Sequence, residues 1–222
     1  GYLVKLDVRS PIRTRTVSGL IVDSRGWVVT SLSALEDAGE VNVTLAGKNF
    51  DDDPPFRELV DLSRGIIAED PAHDLALISI NRAQVINLAD IKLAESDSVV
   101  AAARLMIARA PPPRHQRWLA ECRIDKRGKF SDLPNDVQKE LAAANLQADQ
   151  DFNWLVYPPR LPSNLANELI GSPLIDEQGT VLAVNIGVQT KDKAVAVPAT
   201  LVRKLVESAG SSPDVKPFGR AA

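Results

Sequence analysis

Residues 166–185 read ANELIGSPLIDEQGTVLAVN, and the architecture of the chain turns on them. Two short apolar runs, SPLID (172–176) and TVLAVNIGV (180–188), flank Glu177-Gln178-Gly179. A polar break of this length with glycine last predicts a tight β-hairpin, because glycine takes the positive φ that such a turn demands. The same grammar recurs upstream, where SGLIVD (18–23) and GWVVTS (26–31) meet at Ser24-Arg25-Gly26. Working outward, short β-branched runs broken by turn signals dominate the chain. They predict strands near 2–8, 16–23, 26–30, 40–46, 64–69, 74–80, 98–108, 118–125, 152–157, 173–176, 180–188 and 194–197. The fold class is therefore all-β, a sandwich or barrel.

Helical patterning is confined to two places. DLPNDVQKELAAANLQA (132–148) carries Asp132 as its N-cap and apolar residues at Val137, Leu141 and Leu146. PATLVRKLVESA (198–209) opens on Pro198 and lines Leu201, Val202, Leu205 and Val206 along one stripe. The Pro-rich segments DDDPPF (51–56) and RAPPPRHQR (109–117) read as surface loops, and SSPDVKPFGRAA from Ser211 as a linker. Two strand-rich blocks meet at 88–97.

The 222 residues carry a net charge of −3, which argues against a phosphate-binding surface and hence against nucleic acid. No apolar run is long enough to span a membrane as a helix. A single cysteine, Cys122, excludes an internal disulfide and a cysteine-built zinc site. The two histidines, His73 and His115, lie far apart without ligand spacing, so no metal or other cofactor is expected. The basic PRHQR loop beside Trp118 is expected to be solvated, and Trp27 and Trp154 are expected to pack in the core or at a barrel rim.

Three segments taken in order, SGLIVDSRGWVVTSLSAL (18–35), AEDPAHDLALISI (68–80) and ELIGSPLIDEQGTVLAVN (168–185), resemble the trypsin-like proteases of the HtrA type. In that family the matching segments read approximately SGxIID-xxGxIVTNxHVV, DPxxDLALLxI and GNSGGPLxNxxGxVIGIN. The closing AVAVPATLVRKLVE (194–207) resembles the family's last strand and C-terminal helix. The resemblance implies two antiparallel six-stranded β-barrels, a first unit at 1–92 and a second at 93–210 with the 132–148 helix inserted, followed by the 211–222 tail. It also implies an extracytoplasmic setting.

Carried over residue by residue, the resemblance keeps only part of the catalytic set. The aspartate is Asp74, the histidine position holds Ser33, and the serine position holds Ile170. Triad chemistry needs a base with a pKa near the working pH, and a neutral hydroxyl at Ser33 is not one. Ile170 has no lone pair with which to attack. The two residues before it, Glu168 and Leu169, place a carboxylate and a bulky side chain where the oxyanion loop takes Gly-Asn. The implied protein is a pseudoprotease whose old cleft binds a peptide, a partner protein or nothing, with the 132–148 helix as a partner-binding or cleft-covering element. In the plainer reading that helix is a cap over the barrel, and Asp74 is a strand-entry carboxylate capping backbone N–H groups. An enzyme remains the alternative, a serine hydrolase using Ser172 or Ser33 with another base. His73 is not expected to serve Asp74, because adjacent residues on a strand point to opposite faces. A third reading is a tethered regulatory sensor domain.

Overall fold

The computed structural model describes residues 3–45, 56–81, 91–95, 104–108, 119–146, 153–158 and 167–211. The expected loops at 51–55 and 109–117 with His115, the neighbouring Trp118, the 98–103 part of an expected strand, and the tail beyond Ser211 lie outside these residues. Of the expected 88–97 junction, residues 91–95 are described, and Leu93 forms a parallel bridge to Val181.

Seven strands of the first half form one antiparallel sheet: β1 (Leu3–Arg9), β2 (Thr14–Asp23), β3 (Trp27–Ser31), β4 (Glu40–Leu45), β5 (Phe56–Asp61), β6 (Ile66–Asp70) and β7 (Leu75–Ser79). Their spatial order is β5-β4-β1-β2-β3-β7-β6. The two edge strands, β5 and β6, are consecutive in the chain and joined only by the helical turn α1 (Leu62–Gly65). One bent strand thus occupies both edges of the curled sheet. The second sheet repeats the device with β8 (Arg104–Ala108), β9 (Leu119–Arg123), β10 (Lys126–Gly128), β11 (Trp154–Tyr157), β12 (Pro173–Ile175), β13 (Val181–Gln189) and β14 (Ala194–Pro198). Its order is β10-β11-β14-β13-β12-β8-β9, and the edge strands β9 and β10 are again consecutive. The expected six strands per barrel become seven pieces because one strand in each is bent. Phe56–Asp61 and Lys126–Gly128 are the pieces the sequence does not announce; in the first, Leu59 points out, 58% exposed, and blurs the alternation.

Both quoted hairpins form as expected. Gly26 (φ 87°) and Gly179 (φ 78°) take the left-handed conformation, and each closes its turn onto an aspartate carbonyl, Asp23 and Asp176, at 3.1 Å. Alternation fills the barrel interiors. Val4, Leu6, Val8, Val17, Ile21, Val41 and Val43 pack inside the first, and Cys122, Leu155, Tyr157, Leu174 and Ala196 inside the second. A third apolar cluster cements the barrels together, with Trp27, Val29, Leu75 and Leu77 of the first meeting Trp154, Val184, Ile186 and Val197 of the second.

Two helices close over this cluster. The C-terminal helix, α3 (Ala199–Ser211), buries Leu201, Val202 and Leu205, as its stripe requires. The inserted helix, α2 (Asn135–Ala143), is shorter than the expected 132–148. Asp132 is not its cap: Pro134 holds the N-cap position without a side-chain bond, and Asp132 instead accepts the Lys129 N–H at 3.2 Å in a preceding 3₁₀ turn. Val137, Leu141 and Leu146 are buried against the second barrel, so the helix does cap it. Lys193, on the β13–β14 turn, pins it by an ion pair to Asp136 at 2.7 Å.

Candidate functional site

Asp74 stands at the centre of the candidate site. It belongs to the turn at 71–74 rather than to the strand that begins at Leu75, and its φ of 55° is left-handed. That conformation is strained for a residue with a Cβ and is best tolerated by Asp and Asn. Four donors converge on the buried carboxylate. Oδ1 accepts the Ser33 N–H at 2.6 Å. Oδ2 accepts the Ser31 hydroxyl at 2.6 Å, the Gly187 N–H at 2.9 Å and the Ser33 hydroxyl at 3.1 Å. The Asp74 carbonyl accepts the Leu32 N–H at 3.0 Å. The expectation that this carboxylate caps backbone N–H groups therefore holds, and the structure brings Ser33 and Asp74 into direct contact.

His73 takes no part in that set. Its Nδ1 lies 2.6 Å from Asp70 Oδ2, and the ring is buried. The expectation that these two residues alternate on a strand does not hold, because His73 and Asp74 share the turn at 71–74. Among the described residues no group of three or more His, Cys, Asp or Glu side chains could hold a metal ion.

The segment carrying Glu168, Leu169 and Ile170 forms a tight turn docked on β2. The Ser18 N–H donates to the Ile170 carbonyl at 2.8 Å, and the Ser18 hydroxyl to the Glu168 carbonyl at 2.7 Å. Thr30 Oγ1 in turn donates to the Ser18 carbonyl at 2.8 Å. Gly171 (φ 77°) sits so close to β2 that a methyl group there would lie 1.9 Å from the Ser18 carbonyl oxygen. Leu169 is buried inside the second barrel and Ile170 packs against the core of the first. The Ile170 N–H is spent on the Asn167 carbonyl at 3.1 Å. An oxyanion hole needs N–H groups left free to face the substrate.

Ser172 is fully buried. Its hydroxyl donates to the Leu169 carbonyl at 2.6 Å and accepts from Asn185 Nδ2 at 2.9 Å. Asn185 also receives the Tyr157 hydroxyl. Burial pushes the Tyr157 phenol well above its ordinary range and the Cys122 thiol up to about 12. Both groups are held in the neutral form at physiological pH, so neither offers Ser172 a base.

A domain of two such barrels, with an aspartate entering the strand beside their junction, defines the trypsin-like peptidase class. Residues 17–184 match the family model of the trypsin-like peptidase domain, and the chain belongs to that family. Solved structures share the fold. The HtrA-type protease AlgW with a tripeptide superposes with a TM-score of 0.64 at 15% identity, covering 93% of this chain and 59% of AlgW. The active form of the Rv3671c protease from M. tuberculosis gives 0.64 at 17% identity, covering 98% and 83% of the two chains. The serine endoprotease of Yersinia pestis gives 0.60 at 16%, with 94% and 62% covered. This chain thus spans about three-fifths of the length of AlgW. No curated protein sequence matches it.

Two functional contacts escape the sequence. Ser31 reads there as an ordinary strand residue, and its role needs the fold to be known. Gly187 did carry a signal, since a glycine inside a strand pattern marks a bulge or a close backbone approach.

Proposed function

We propose that this trypsin-like peptidase domain does not hydrolyse peptides and instead binds a peptide or protein in the cleft between its barrels. Ser33, Asp74 and Ile170 are the triad-equivalent positions in this reading, and the units 1–92 and 93–210 correspond to the two barrels. One observation carries the proposal: among the described residues the Asp74 carboxylate is taken up by two serine hydroxyls and two backbone N–H groups, and none of these donors is an imidazole. Without a base, no nearby hydroxyl is activated, and loss of base or nucleophile alone costs a triad enzyme roughly 10⁶-fold. The hydrocarbon of Ile170, packed into the first barrel, supports the same conclusion. Barrel packing does not depend on the triad, so a fold can persist after its chemistry is lost. AlgW is known with a tripeptide and a serine-to-alanine variant of it with a decapeptide, and a peptide is the ligand class proposed here. The α2 helix is the second candidate surface for a partner.

Family membership on its own favours an active serine hydrolase, and Ser172 is the nucleophile that reading requires. Its full burial and its two hydrogen bonds oppose it. The test is hydrolysis of fluorescent casein and of a p-nitrophenyl ester by the native chain. The proposal expects rates equal to a buffer blank. A rate above blank that vanishes in Ser172→Ala establishes the hydrolase instead.

A further inference from the structure

The bonds around Asp74 cross from one barrel to the other. Asp74 and Ser31 belong to the first, at the ends of β7 and β3, while Gly187 lies in the middle of β13 in the second. The single Gly187 N–H is shared between Asp74 Oδ2 at 2.9 Å and Ser31 Oγ at 3.0 Å. Those two acceptors are themselves hydrogen-bonded at 2.6 Å. The approach is close: a methyl group at 187 would lie 2.2 Å from Ser33 Oγ, 3.2 Å from Ser31 Oγ and 3.4 Å from Asp74 Oδ2, so those side chains would have to shift to admit it. β13 is irregular at the same place. Its pairing with β14 shifts register between Asn185 and Gln189.

We infer that Asp74 is a positioning residue, an acceptor hub that draws the Gly187 backbone across the barrel junction and sets the irregular course of β13 from Asn185 to Gln189. The backbone amide of Gly187 and the hydroxyl of Ser33 fill the space beside the carboxylate. The strained φ of Asp74 is held by the four donors that converge on it, which gives this aspartate a structural reason to be present without chemistry. The inference stands independently of whether the cleft binds a peptide.

The test is amide hydrogen exchange read by mass spectrometry on two segments, 184–189 of β13 and 40–45 of β4. Asp74→Ala is expected to speed exchange of the β13 segment by roughly tenfold or more, the size of one lost charge-assisted hydrogen bond, and to leave β4 unchanged. If that variant does not fold, Gly187→Ala and Ser33→Ala give the answer through the melting midpoint. Gly187→Ala is expected to lower the midpoint, and Ser33→Ala added to it is expected to recover most of the loss, because the colliding hydroxyl is gone. Equal acceleration in β4 and β13, no acceleration in either, or a Gly187→Ala defect that Ser33→Ala does not relieve, each overturns the inference.

Discussion

Installing a base and a nucleophile together, by Ser33→His with Ile170→Ser, is expected to yield a weakened fold and no protease. Ile170 is 8% exposed and packs against the first barrel's core. Exchanging it for serine loses apolar burial and leaves a hole, a change that costs about 2–4 kcal/mol. An imidazole at 33 has to enter where a mere methyl on Gly187 would already lie 2.2 Å from the serine hydroxyl. Overpacking of that kind costs about 1–3 kcal/mol. The sum is a large share of the 5–15 kcal/mol that holds a typical domain together, so the melting midpoint is expected to fall by roughly 10–20 °C. Chemistry gains little in return. The Ile170 N–H stays bonded to Asn167, and one missing oxyanion donor alone costs about 10²–10³-fold. The assay is release of fluorescence from labelled casein at 10 °C, with circular dichroism confirming the fold. Casein cleavage above the blank, in a double variant that melts within a few degrees of native, refutes the reasoning on both counts.

Three further outcomes follow from the same geometry. Tyr157 and Cys122 keep their protons in the fold at a pH where the unfolded chain has lost them, so stability is complete below about pH 9 and falls as pH rises towards 12; urea midpoints measured from pH 8 to 11 should decline less steeply in Tyr157→Phe with Cys122→Ala. Gly171→Ala forces a Cβ into the Ser18 carbonyl at a φ of 77°, and a loss of about 3 kcal/mol is expected by chemical denaturation, whereas an unchanged midpoint would show that the turn is free to move. Zinc or copper at a hundredfold excess should leave the melting midpoint where it is; a rise of roughly 5–10 °C that is abolished in His73→Ala would mean the His73–Asp70 pair takes a metal.

Much of the fold was legible in the residues because its signals are local. The turns at Gly26 and Gly179, the stripe of α3 and the buried Val137, Leu141 and Leu146 each follow from spacing a few residues long. What was not legible depends on long-range contact. The β5 half of the bent strand hides because Leu59 faces outward and Leu62–Gly65 separates it from β6. Asp132 looks like a helix cap until Pro134 and the 3₁₀ turn at Phe130–Asp132 displace it. Asp74 reads as the first residue of a strand, since its left-handed turn is imposed by partners 41 to 113 residues away. The contact of Ser33 with Asp74 could be anticipated from motif order; the glycine at 187 marks a close backbone approach but does not reveal that its N–H reaches Asp74, 113 residues away.

The absence of an activated serine is the central claim, and covalent labelling tests it without reference to any substrate. The native chain, incubated with a fluorophosphonate in excess, is weighed intact by mass spectrometry, with a known serine protease as the positive control. The account predicts an unchanged mass, because Ser172 is fully buried with its hydroxyl donating to the Leu169 carbonyl, and the Ser33 hydroxyl donates to Asp74 with no imidazole beside it among the described residues. Stoichiometric addition of one phosphonyl group to the folded protein, mapped to Ser172 or Ser33, would contradict it.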